Sequence, residues 1–127
     1  MRAGVTELPL GEPAGFNPGQ LELLCDRLGE QRAEAEVAYA LDRLATLLDQ
    51  IAPLKQTGDH RALETLLAAL VRDARMIGMA TLAQAGRHVL DCLESGDTVA
   101  LAATLARLER VGDRSIHAIW DLEDVSG

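Results

Sequence analysis

Apolar residues recur along this chain at intervals of three and four, the spacing that gathers side chains on one face of an α-helix. The clearest run is Val37, Leu41, Leu44, Leu48 and Ile51, which predicts a helix over about 31–54, closed by Pro53 and the Lys55-Gln56-Thr57-Gly58 stretch. Before it, Asn17-Pro18 has the form of a helix start, a capping side chain followed by a proline in the first turn. A short helix over 18–28 follows, with Leu21, Leu24 and Leu28 on one face and Gly29 at its end. Asp59 offers a cap for a third helix reaching about 76, striped by Leu63, Leu66/Leu67, Leu70, Ala74 and Ile77. After Ile77-Gly78 comes a fourth helix over 79–95 with Leu82, Ala85/Gly86, Val89 and Leu93 inward. Asp97 or Thr98 caps the last, carrying Leu101, Leu105, Leu108, Ser115, Ile119 and Leu122 and fraying in the acidic run 121–124. No segment alternates with the period of a strand. The predicted fold is all-α: an up-down-up-down four-helix bundle preceded by a short N-terminal accessory helix. Gly4, Pro9, Gly11, Pro13 and Gly15 interrupt residues 1–15, which are expected to form a flexible N-terminal arm to a bundle spanning 16–127.

Composition supports helices: 22 Leu and 20 Ala in 127 residues, with Phe16, Tyr39 and Trp120 the aromatics. The length suits one soluble domain. A net charge of −8 has the wrong sign for nucleic acid or an anionic membrane surface, so neither is expected as a partner. The first residues lack the basic region and apolar run of a secretion signal, which points to the cytoplasm. Cys25 and Cys92 lie far apart with no cluster around them and are read as two buried free thiols. His60, His88 and His117 are scattered over three helices at no metal-ligand spacing, so no metal, cofactor or enzymatic centre is expected.

One surface departs from this plain picture. Arg61, Thr65, Ala68, Arg72 and Arg75 follow one another at steps of four and three on the third helix, flanking its leucine stripe. Three arginines on one face of an acidic chain form a local cationic ridge suited to an acidic partner. The plainer alternative is a solvated face whose arginines pair with Glu64 and Asp73.

The order of these parts resembles the bacterial histidine-containing phosphotransfer (HPt) domains over about 16–122. The resemblance rests on Phe16-Asn17-Pro18, Leu28-Gly29, the Gly58-Asp59 turn, Ile77-Gly78-Met79 with Leu82-Ala83, and Leu93-Glu94, Gly96-Asp97, Leu101, Leu105 and Leu108-Glu109. In that family the third helix carries a phosphorylatable histidine in the pattern His-x-x-Lys-Gly. Placing Ile77-Gly78 on the family's closing turn puts Ala68 at the histidine position, Val71 at the lysine and Arg72 at the glycine. Alanine has no nucleophilic nitrogen, and Arg72 fills room that the glycine leaves for an approaching receiver. The resemblance therefore implies a non-catalytic HPt-like protein, with Ala68 as the inactive phosphoacceptor-equivalent position. It would bind a response-regulator receiver domain or a histidine kinase through Arg61, Thr65, Ala68, Arg72 and Arg75 and modulate a phosphorelay without transferring phosphate. Two alternatives stand beside it: an active phosphotransferase using His60 or His88, and a structural or assembly four-helix subunit. Either a monomer or a homodimer is compatible with the Ala/Leu faces.

Overall fold

The computed structural model describes residues 17–126, with side-chain surroundings through 118. It contains α1 (Pro18–Leu28), α2 (Glu30–Ile51), a 3-10 stretch (Ala52–Gln56), α3 (His60–Met76), α4 (Ala80–Ser95) and α5 (Thr98–Ser126). No strand occurs among the described residues. The fold is the all-α arrangement expected: a short first helix, then four helices packed in sequence order, α2 on α3, α3 on α4 and α4 on α5. Contact between Leu48 and Gly112 brings α2 back to α5. The arm 1–15, Phe16 and the side chains of Ile119 and Leu122 lie outside the described residues.

Local chemistry sets the ends of the helices. The Asn17 side chain accepts a hydrogen bond from the Gly19 amide at 3.0 Å, that of Asp59 from Ala62 at 3.1 Å and that of Asp97 from Ala100 at 3.0 Å. Each satisfies an amide that the first turn leaves without a partner. Gly29 alone separates α1 from α2. The second helix ends at Ile51, three residues earlier than the leucine period suggests, because Pro53 turns the chain into a tighter coil. The last helix runs through 121–124 to Ser126, since no glycine or proline follows Gly112 before Gly127. Three carboxylates near a helix C-terminus cost only a few tenths of a kcal/mol each when exposed.

The core is one cluster built by all five helices, with Leu24, Leu44, Leu63, Leu67, Leu70, Ile77, Leu82, Val89 and Leu108 almost wholly excluded from solvent. Val37, Leu48 and Leu93, assigned inward from their spacing, are half-buried at its margin. Cys92 is half-buried and Cys25 is exposed, which corrects the expectation of two buried thiols. Cys25 follows the buried Leu24 on a helix that rests mainly on α2, so most of its circumference meets water.

Two close approaches fix the end of the bundle that matters below. Gly78 turns the chain from α3 into α4 at φ +78°, and a Cβ there would come within 2.8 Å of the Asn17 carbonyl oxygen. The Asn17 amide donates to the Gly78 carbonyl at 2.6 Å, and Gln20 Nε2 donates to the Met76 carbonyl at 3.4 Å. The start of α1 is thus pinned on the α3–α4 turn. Midway along α4, a Cβ on Gly86 would meet Leu70 Cδ2 at 2.9 Å and Val71 Cγ2 at 3.0 Å, so glycine here sets the distance between α3 and α4.

Candidate functional site

With Asp59 capping α3 and its leucines turned inward, the opposite side of that helix faces solvent. Arg61, Thr65, Ala68, Arg72 and Arg75 are all exposed on it and share an arc of about 80° at 100° per residue. Ala68 is in the middle. The Thr65 hydroxyl is engaged within the helix, donating to the Arg61 carbonyl at 3.1 Å. Val71 is 6% exposed and forms part of the floor beside this face, while the Arg72 side chain, 75% exposed, stands on its crest.

Ala68 also lies in a shallow groove between α3 and α4, whose two halves differ in charge. The half toward Gln20, about 510 Å³, is lined by Arg72, Arg75 and Arg87 with Leu90 and Met76, and no carboxylate lines it. The half toward His60, about 610 Å³, sets Arg61 and Arg87 among Glu64, Asp91 and Glu94. Arg87 Nε lies 3.6 Å from Asp91 Oδ1, one turn further along α4. Positive charge is therefore concentrated at one end of the ridge that the spacing drew as uniform. Arg87, supplied by α4, belongs to that concentration and was not singled out from the sequence, because a wheel of α3 carries no information about its neighbour.

On the other flank of α3, a groove of about 710 Å³ opens toward α2, with Leu47, Ala69 and Met76 in its walls. Its polar centre is fixed in place. Asp73, 4% exposed, accepts from Arg43 Nε at 3.0 Å. The Arg43 guanidinium carbon lies 4.5 Å from the centre of the Tyr39 ring, a cation–π distance. The hydrogen bond that Arg43 donates to Asp73 raises the Arg43 pKa above its ordinary value, and this outweighs the loss of hydration on burial, which acts the other way. Arg72 Nε is 3.8 Å from Asp73 Oδ1, a long contact beside the short one. The pairing of α3 arginines with Glu64 and Asp73 on a solvated face is thus only partly realised: Asp73 is buried and held chiefly by α2, and among the described residues no arginine lies within 4.0 Å of Glu64. A sequence signal for Asp73 exists, since Leu66, Leu70, Asp73 and Ile77 continue the 4, 3, 4 period with a carboxylate in an apolar slot.

The histidines are dispersed. His60, exposed at the start of α3, lines the mixed-charge half of the groove. His88 is exposed one residue past Arg87, about a quarter turn around α4. The His117 ring contacts the Asp113 carbonyl at 2.9 Å through Nδ1. Among the described residues no group of three His, Cys, Asp or Glu side chains could hold a metal ion, and no helix is long and apolar enough to cross a membrane. What the α3 face offers chemically is a compact set of guanidinium donors around a small side chain, an arrangement that binds carboxylates or phosphoryl oxygens through charge-assisted hydrogen bonds. Comparison with protein-family models, with curated proteins and with solved structures gives no match.

Proposed function

We propose that this chain is a non-catalytic, HPt-like binding module that docks a two-component signalling partner on the outer face of α3 and modulates a phosphorelay without carrying phosphate. The observation that carries the reading is Ala68: exposed at the centre of that face, where the resemblance to HPt domains puts the phosphoacceptor, and ringed by guanidinium groups rather than by a nucleophile. Of the two partner types, a response-regulator receiver fits better than a histidine kinase, because an acidic phosphorylation pocket complements Arg72, Arg75 and Arg87. Thr65 and Arg61 lie at the margin of the contact in this reading. Such a module would act by occupancy, sequestering or scaffolding its partner.

A pull-down from bacterial cytoplasm with the wild-type chain and an Arg72→Glu/Arg75→Glu variant tests this, with retained proteins identified by mass. Receivers or kinases held by the wild type and lost with the variant support it. Equal retention by both forms, or retention of no phosphorelay protein, overturns it. The assembly-subunit reading draws on the exposed Leu23 and Tyr39, 57% and 59% accessible, and predicts instead a concentration-dependent dimer in sedimentation.

A further inference from the structure

Docking on the α4 flank leaves the groove between α2 and α3 without an occupant. Its apolar lining comes from Tyr39, Leu47, Ala69 and Met76. Tyr39 is 59% exposed, and the other three are half-buried. Each bank also carries an exposed charge, Asp42 on α2 and Arg72 on α3. Among the described residues no cation lies within 4.0 Å of Asp42, and Arg72 has the 3.8 Å contact with Asp73 alone.

The two banks match in register. Because α2 and α3 run antiparallel and Arg43 meets Asp73 at 3.0 Å, equal steps away from that pair find residues at one level. Four residues onward on α2 is Leu47, and four back on α3 is Ala69. In the other direction Tyr39 falls within one residue of the level of Met76, and Asp42 within two residues of that of Arg72. A two-fold axis lying along the groove lays α2 of one copy on α3 of the other without changing level. All three matches then become contacts, each made twice. An axis across the middle of the groove would instead bring Asp42 onto its own copy and Arg72 onto its own copy, where like charges oppose.

We propose that the α2–α3 groove is a self-association surface whose occupant is the same groove of a second copy, related by a two-fold axis along it. Tyr39 packs on Met76, Leu47 on Ala69, and Asp42 pairs with Arg72, all across the interface. Arg43 stays bonded to Asp73 within each copy and stacked on Tyr39. From Glu36 to Leu47 the α2 bank is about 17 Å long. A contact of that length is at the small end of specific interfaces, with an expected dissociation constant on the order of 100 μM. Arg75 and Arg87 remain open on the other flank, so self-association is compatible with either reading above, and the pull-down separates those. One consequence rests on the function proposed above: Arg72 cannot serve a second copy and a receiver at once, so the two contacts compete.

Sedimentation equilibrium of the 127-residue chain tests the interface. The wild type should move from 13.6 kDa toward about twice that mass as its concentration rises to about 1 mM. Asp42→Arg and Arg72→Asp each set like charges against one another at both symmetric contacts, and each should weaken association about a hundredfold. Mixed in equal amounts the two variants should dimerise again, because one contact is then native and the other has its charges exchanged. A misfolded variant cannot give that rescue. A wild type that stays monomeric throughout overturns the proposal. So do single variants that dimerise as the wild type does, or a mixture of variants with wild-type thermal melts that remains monomeric. Wild-type amide shifts give a check that needs no variant: on dilution those of Tyr39, Asp42, Leu47, Ala69 and Met76 should move, and movement centred on Leu23 instead contradicts the proposal. If the dimer forms as described and no receiver binds, the functional reading fails while this inference stands. A receiver bound by a chain that never self-associates gives the reverse.

Discussion

The two flanks of α3 use the same side chain in opposite ways. Toward α2, Arg43 is partly sheltered, bonded at 3.0 Å to a buried carboxylate and stacked on Tyr39. Toward α4, Arg75 stands exposed, with no carboxylate within 4.0 Å among the described residues, and Arg87 has one 3.6 Å contact with Asp91. The first arginine is spent on the fold, because Asp73 without it would be a desolvated charge. The others contribute little to folding and keep their donors available. Charge count alone does not distinguish a structural cation from a docking one, whereas the burial of its partner does. Arg72, on the crest, reaches Asp73 at 3.8 Å while remaining 75% exposed, so it belongs to both flanks.

The largest expected effect breaks the structural flank. Arg43→Met should destabilise the fold by about 2–3 kcal/mol, below the range for a fully buried pair because Arg43 is itself one-third exposed. Denaturant unfolding measures it, and the double variant Arg43→Met/Asp73→Leu should recover most of the loss, since the orphaned charge is then gone. Additive penalties would show that the two groups act separately. On the docking flank the order reverses. Arg75→Glu with Arg87→Glu should leave stability within about 0.5 kcal/mol, yet weaken partner binding at least about tenfold, or about 1.4 kcal/mol. Calorimetric titration and thermal melts of one preparation decide this. Gly86→Ala probes the spacing beneath the groove. Its Cβ meets the fully buried Leu70 and the buried Val71, so a cost of about 1–2 kcal/mol from crowding should exceed the gain of about 1 kcal/mol in helix propensity. A net stabilisation would show that α4 can move away from α3 freely.

The smallest effect is a null in pH. Arg43 has a pKa raised by Asp73. A cation raised in this way contributes stability that is fully present below its unfolded-state pKa and is lost only as pH climbs through the folded value, far into the alkaline range. The Arg43→Met penalty should accordingly be the same at about pH 6 and about pH 9. A penalty that falls between them would point to a different titrating partner.

Much of this was legible in the chain. Helix periodicity placed five helices, and Asn17, Asp59 and Asp97 marked starts where their side chains do cap amides. The outward position of Ala68 followed from the leucine stripe alone. What escaped was relational. Arg87 joins the cationic face from another helix, Glu64, Asp91 and Glu94 dilute it at the Arg61 end, and the partner of Asp73, Arg43, is identified only once α2 is laid against α3. A one-helix wheel assigns direction but not the identity of the neighbour met there. Cys25 shows the same limit, since its exposure depends on how little of α1 is covered.

The most direct test of the central claim is native mass spectrometry of the 127-residue chain mixed with phosphorylated receivers from one bacterial proteome. The account predicts a complex with at least one receiver, abolished by Arg72→Glu/Arg75→Glu, and a free chain whose mass is unchanged because Ala68 accepts no phosphoryl group. A chain that gains the mass of a phosphoryl group at His60 or His88, or that forms no complex with any receiver, would contradict it.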